Sequence, residues 1–141
     1  MVKKEQIMRV CGEEIKGSCA NLVVLEKAEG LPLIVKAVPK LSIQNDHSQE
    51  EVKTFLSTFV AFVRDNAVEQ VYIKLRNKKG EFAGGPAGFK LEGLIQLLSI
   101  PVLLLSPVKI AKATKAIDAS LLSGVFAYQE NALRVAYAGL K

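Results

Sequence analysis

The strongest constraint on this chain is the order in which its apolar periodicities change. Three strand-like runs come first, and helical and strand-like patterns then alternate to the end. Ile7 to Ile15 is short and rich in apolar residues, Cys19 to Glu26 (CANLVVLE) is a second run, and Leu31 to Leu41 is a third. Lys16-Gly17-Ser18 and Lys27-Ala28-Glu29-Gly30 supply the turns between them. Strands joined by turns this short pair as an antiparallel meander. Pro32 and Pro39 cannot donate to a ladder, which puts the third strand at a sheet edge.

After a polar loop at Ile43 to His47, Ser48 and Glu51 form a capping box, so a helix starts at Ser48. Val52, Phe55, Leu56, Phe59, Val60 and Val63 lie on one helical face, and Asp65-Asn66 ends it. Glu69 to Arg76 alternates, with Val71, Ile73 and Leu75 on one face and Tyr72, Lys74 and Arg76 on the other, which makes a fourth strand. Asn77 to Gly85 is a basic glycine-containing loop, and Pro86 suits the first turn of the next helix. Pro101 to Leu105 (PVLLL) reads as a strand buried on both faces. A short helix over Pro107 to Lys115 and a long one over Ser120 to Leu140 complete the chain, the latter with Leu122, Val125, Phe126, Leu133, Ala136, Tyr137 and Leu140 on its apolar stripe.

The order is β-β-β-α-β-α-β-α. Two crossover connections give parallel neighbours, and the simplest mixed sheet has order 3-2-1-4-5 with helices on both faces. That is the α/β architecture called ribonuclease H-like. The chain length of 141 residues fits one domain.

Composition narrows the function classes. Half the residues are apolar and 23% are charged, as a packed core requires. The longest uncharged stretch, Gly93 to Val108, falls about two residues short of the ~18 of a membrane span and holds Pro101 and Pro107. Lys3-Lys4 is followed by Arg9, Glu13, Glu14 and Lys16 where a secretory signal needs an apolar run. Cys11 and Cys19 read as free thiols of a reducing cytoplasm. His47 is a turn residue before a helix cap, and Ser48 is that cap. Residues 1–70 carry 9 basic and 10 acidic side chains, and residues 71–141 carry 10 and 4, so the basicity belongs to the second half.

Met8-Arg9-Val10-Cys11-Gly12-Glu13-Glu14-Ile15-Lys16-Gly17 resembles the opening of an uncharacterised bacterial family whose members start near M-x-V-C-G-x-E-L-K-G. Lys79-Gly80-Glu81-Phe82-Ala83-Gly84-Gly85, followed by Phe89-Lys90 and Glu92, is similar to that family's K-G-x-F-A-G-G motif, and Leu105-Ser106-Pro107 and Gln129-Glu130 match as well. The resemblance runs from Met8 to about Leu140 and leaves residues 1–7 as an extension. It carries no established activity. It implies a fold similar to the Holliday-junction resolvases of RuvC type.

Nucleases of that fold use two divalent metals, and magnesium takes oxygen ligands. The resemblance implies carboxylates on the first strand, at the end of the fourth and on the last helix. Glu14 and Glu130 are the candidates for catalysis and for Mg or Mn ligation. Leu75 stands where the resembling family has glutamate, so the central carboxylate is missing. With lysine and arginine nearby, an ion-paired structural cluster is the other reading of Glu14 and Glu130. Gln129 faces either a polar pocket or the core.

Lys74, Arg76, Lys78, Lys79, Lys90, Lys109, Lys112 and Lys115 face only Glu81 and Glu92 between positions 74 and 115. Such a patch at the carboxyl ends of parallel strands can hold a phosphate backbone, and Gly84-Gly85-Pro86 exposes backbone N–H groups at a helix start. A solvated face is the other reading of the same lysines. There is no Walker A, the GxxG at Gly85 to Gly88 lacks a KH context, and few aromatics argue against a base-stacking platform. The expectation is a nucleic-acid-associated protein with catalysis lost or reduced. The alternatives are a metal-dependent nuclease of resolvase type and a non-enzymatic homodimer that interacts through apolar surface.

Overall fold

The computed structural model describes residues 8–78 and 85–141. Three strands, β1 (Arg9–Lys16), β2 (Cys19–Glu26) and β3 (Leu33–Ser42), are followed by α1 (Gln49–Asp65), β4 (Gln70–Lys74), α2 (Pro86–Ile95), β5 (Val102–Leu105), α3 (Pro107–Ala113), α4 (Ala119–Leu122) and α5 (Glu130–Leu140). The five strands form one sheet of order β3-β2-β1-β4-β5. β1 to β3 pair antiparallel, and β1, β4 and β5 run parallel. The sheet order is the one read from the sequence, and β3 lies at an edge as its prolines require.

Both faces of the sheet are covered, because β1 and β2 carry apolar side chains in both directions. Cys11, Ile15, Leu22, Val24, Val71 and Ile73 pack with Phe55, Phe59, Leu91 and Ile95 of α1 and α2. Val10, Val23, Leu25 and Tyr72 pack on the other side with Leu133, Val135 and Ala136 of α5. Two glycines let α5 approach closely. A Cβ on Gly12 would stand 2.2 Å from Ala132 O and from Ala136 N, and one on Gly139 would stand 2.3 Å from the Tyr72 ring.

The capping box at α1 forms only in part. Ser48 Oγ accepts from Glu51 N, but Glu51 Oε1 accepts from the backbone N–H groups of Gln44 and Asn45 and so closes the preceding loop onto the helix. PVLLL is not buried on both faces. β5 is the second edge strand, with Leu103 and Leu104 43% and 37% exposed. The helix expected over Ser120 to Leu140 is broken. Asp118 caps the short α4 through Ser120 N, and the backbone at Phe126 is extended before a 3₁₀ turn at Ala127–Gln129 leads into α5. Helical spacing continues through this stretch, but tertiary packing overrides it. Gly124 sits so close to β3 that a Cβ there would lie 2.6 Å from Ile34 Cδ1. The break takes Phe126 off the apolar stripe and into solvent.

Candidate functional site

The carboxyl ends of β1, β3, β4 and β5 lie at one end of the sheet, since β3 is antiparallel to β2 and β2 to β1. Alternation on β1 sends Glu13 and Glu14 to opposite faces there, and both are buried.

Glu14 faces α5. The Asn131 side-chain amide donates to its Oε2 at 2.8 Å, and the Lys74 ammonium of β4 lies 3.9 Å from the same oxygen. The close approach at Gly12 and Gly139 brings Asn131 within reach. Glu130, one residue earlier, turns to Arg134 instead, with contacts of 3.0 and 3.2 Å. Arg134 also donates to Thr114 O at 3.3 Å, which ties α5 to the end of α3. Lys74, Thr114, Lys115, Asn131 and Arg134, with Ile110 in its wall, line a cleft of ≈ 310 Å³. Of its three cations, Lys74 lies beside Glu14 and Arg134 pairs with Glu130.

This arrangement does not fit a two-metal centre. A metal needs lone pairs at the point where Glu14 Oε2 already receives an amide N–H and faces an ammonium. Among the described residues no three His, Cys, Asp or Glu side chains come together as a ligand set. Leu75 donates its backbone N–H to Leu105 O at 2.8 Å and leaves its side chain partly exposed, with no carboxylate to offer. Lys74, Lys115 and Arg134 give the cleft a cationic lining.

The opposite face holds a second polar cluster that the sequence reading passed over. Glu13 is fully buried, and neither of its oxygens has a hydrogen-bond partner among the described residues. Burial, reinforced by the neighbouring Glu92 carboxylate, pushes the Glu13 carboxyl well above the usual carboxylate range. The same burial, with Glu13 nearby, pushes the Cys11 thiol up. Arg76 belongs to this cluster. Expected on the other face by alternation, it leaves the strand pattern after Lys74, lies 3.8 Å from Glu92 Oε2, and stacks its guanidinium 4.5 Å above the Phe89 ring. It is largely buried and so is turned away from the solvent-exposed basic patch.

The other expected residues are scattered. Lys78 is exposed after β4. Lys79 and Gly84 lie outside the described residues. Gly85 is the extended N-cap of α2. Lys90 donates to the backbone carbonyl of Asp46 and lies 3.9 Å from its carboxylate. Lys109 and Lys112 line an open hollow of ≈ 550 Å³ with Val108 and Lys141. The structure therefore does not gather all eight cations into one site. Lys74 and Lys115 share the cleft beside Glu14, and Lys109 and Lys112 lie on α3. Arg134 was missed, although its position four residues after Glu130 is the spacing of a helical ion pair. Gln129 is buried, and its Oε1 accepts from Phe126 N at 3.0 Å.

This sheet and its helices define an α/β protein of ribonuclease H-like fold, as solved structures bear out. The chain superposes on Thermus thermophilus RuvC in complex with Holliday junction substrate with a TM-score of 0.68 at 15% identity, covering 93% of this chain and 91% of that one. The yeast mitochondrial Holliday junction resolvase Ydc2 gives 0.58 at 11% identity, covering 93% and 78%. Similarity at these identities establishes the fold. The chain belongs to the family described as "Protein of unknown function (DUF3010)", which it matches over residues 8–139. A comparison with curated proteins gives no match. No helix among the described residues is long and apolar enough to cross a membrane.

Proposed function

We propose that this protein associates with nucleic acid through the cationic cleft at the end of its sheet and does not cut it by metal-dependent chemistry. One observation carries the reading. Lys74 stands 3.9 Å from Glu14, so an ammonium occupies the place where a first-strand carboxylate would meet a metal. Beside it, Lys115 and Arg134 line the same cleft with Lys74. A phosphate oxygen would meet N–H donors and positive charge there, as backbone binding requires. Two further facts support the reading: the net excess of six positive charges in residues 71–141, and a fold shared with proteins named for Holliday junctions.

Fluorescence anisotropy with labelled duplex DNA tests it. Affinity is expected to fall steeply with salt, with a slope of roughly −0.9 per neutralised phosphate. Magnesium should weaken binding only as a competing counterion, with no requirement for it, and the DNA should stay intact in EDTA and in magnesium alike. Replacing Lys74 and Lys115 together by Gln should flatten the slope by about two phosphate contacts. Binding that is indifferent to salt, or cleavage that appears with magnesium or manganese, would contradict the proposal.

A further inference from the structure

Phe126 is 70% exposed and Tyr128 is 41% exposed, in a chain with only nine aromatic residues. Their rings stack with centroids 5.9 Å apart and planes within 6°, and the Lys40 ammonium lies 5.4 Å from the Tyr128 centroid. The loop that holds them is locked. Gln129 accepts from Phe126 N through its buried side chain and donates its own backbone N–H to Phe126 O at 2.9 Å. The fold therefore presents an open aromatic face in a fixed position, with a cation beside it, at the entrance to α5.

We infer that the Phe126–Tyr128 stack is a platform for an unpaired nucleobase, so that the ligand of the neighbouring cleft is a single strand or an unpaired stretch of one. The inference rests on the function proposed above and deepens it. Three observations favour a base over an apolar protein segment. Aromatic faces accept any base without hydrogen-bond readout. Lys40 places positive charge at the stack, where a phosphate backbone would pass. The stack is also aligned with the cleft. Lys40 is near the carboxyl end of β3, Glu14 and Lys74 are near the same ends of β1 and β4, and Asn131 is the second residue of α5, just after the aromatic turn. β3 and β4 are three strand spacings apart in the sheet, about 14 Å. A stacked strand covers that distance in about four nucleotides, at roughly 3.4 Å each, and an unstacked one in fewer. A strand of a few nucleotides is therefore long enough to cross the sheet from Lys40, beside the stack, to Lys74 on β4.

The test compares a short labelled oligo(dT) strand with a duplex of the same length, for the wild type and for Phe126→Ala and Phe126→Leu, with circular dichroism to confirm the fold. Phe126 is on the surface, so neither change disturbs the core. Phe126→Ala is expected to weaken single-strand binding about tenfold or more while leaving duplex affinity and its salt slope unchanged. Phe126→Leu, which keeps apolar area but has no ring, should lose nearly as much, and Phe126→Trp should restore it. Tyrosine fluorescence should be quenched by oligo(dT) and not by the duplex. Unchanged single-strand affinity in Phe126→Ala overturns the platform while duplex binding leaves the backbone reading standing. So does full retention in Phe126→Leu, which would mark a merely apolar docking patch. A wild-type protein that binds neither oligonucleotide overturns both readings.

Discussion

Gly12→Ala is expected to cost about 3 kcal/mol or more of stability and to lower the melting temperature by roughly 10 °C. The added methyl would meet Ala132 O and Ala136 N at 2.2 Å. These are backbone atoms of α5 and cannot turn aside as a side chain can. Either α5 lifts from the sheet or β1 shifts, and both β1 and α5 are packed into the buried core beneath it. The effect should reach the site as well. Asn131 reaches Glu14 only because α5 lies this close, so a surviving folded fraction should lose the hydrogen bond to Glu14 Oε2. Thermal unfolding followed by circular dichroism checks the first effect. A melting temperature within about 2 °C of the wild type would show that the helix–sheet contact at Gly12 is not the constraint described.

Glu13 carries the second large effect, of opposite sign. Its carboxyl is fully buried without a hydrogen-bond partner among the described residues, close to Cys11 on its own strand and to Glu92, while Glu92 in turn faces Arg76. Its native pKa is raised above the unfolded value of about 4.3. Between those two values the native protein holds a proton that the unfolded chain has lost. The stabilisation is therefore present in full below about pH 4.3 and is lost as pH rises through the native value, at about 1.4 kcal/mol per pH unit. Glu13→Gln should remove this dependence. Glu13→Met should also remove the two orphaned oxygens and raise stability at pH 7.5 by roughly 1–3 kcal/mol. Urea unfolding of the three proteins between pH 5 and pH 9 measures both effects. If both variants are less stable than the wild type at every pH, Glu13 is held by interactions that this account lacks.

The fold was legible because its signals are local. Period-two runs, the Ser48 cap and Pro86 each act within a few residues, and crossover rules then leave few sheet orders. Glu14 was legible through the resemblance around Gly12. Glu13 was not, because β1 is covered on both faces and an alternating polar face never appears. Alternation puts Arg76 on the wrong side because the pattern holds only within β4, which ends at Lys74. Helical spacing through residues 120–140 points to Phe126 as a core or interface residue, but the chain leaves the helix after Leu122 and is extended at Phe126. The stacked aromatic pair was hidden for the same reason. Scarcity of aromatics counted against stacking in the sequence, whereas the position of two of them now favours it.

An ammonium and an amide, rather than a divalent metal, satisfy Glu14. A crystal soaked in manganese and measured for anomalous scattering tests this most directly. The expected result is Lys74 and Asn131 in contact with Glu14 and no anomalous peak between the Glu14 and Glu130 carboxylates. A manganese ion bound there, with Lys74 displaced, would contradict it.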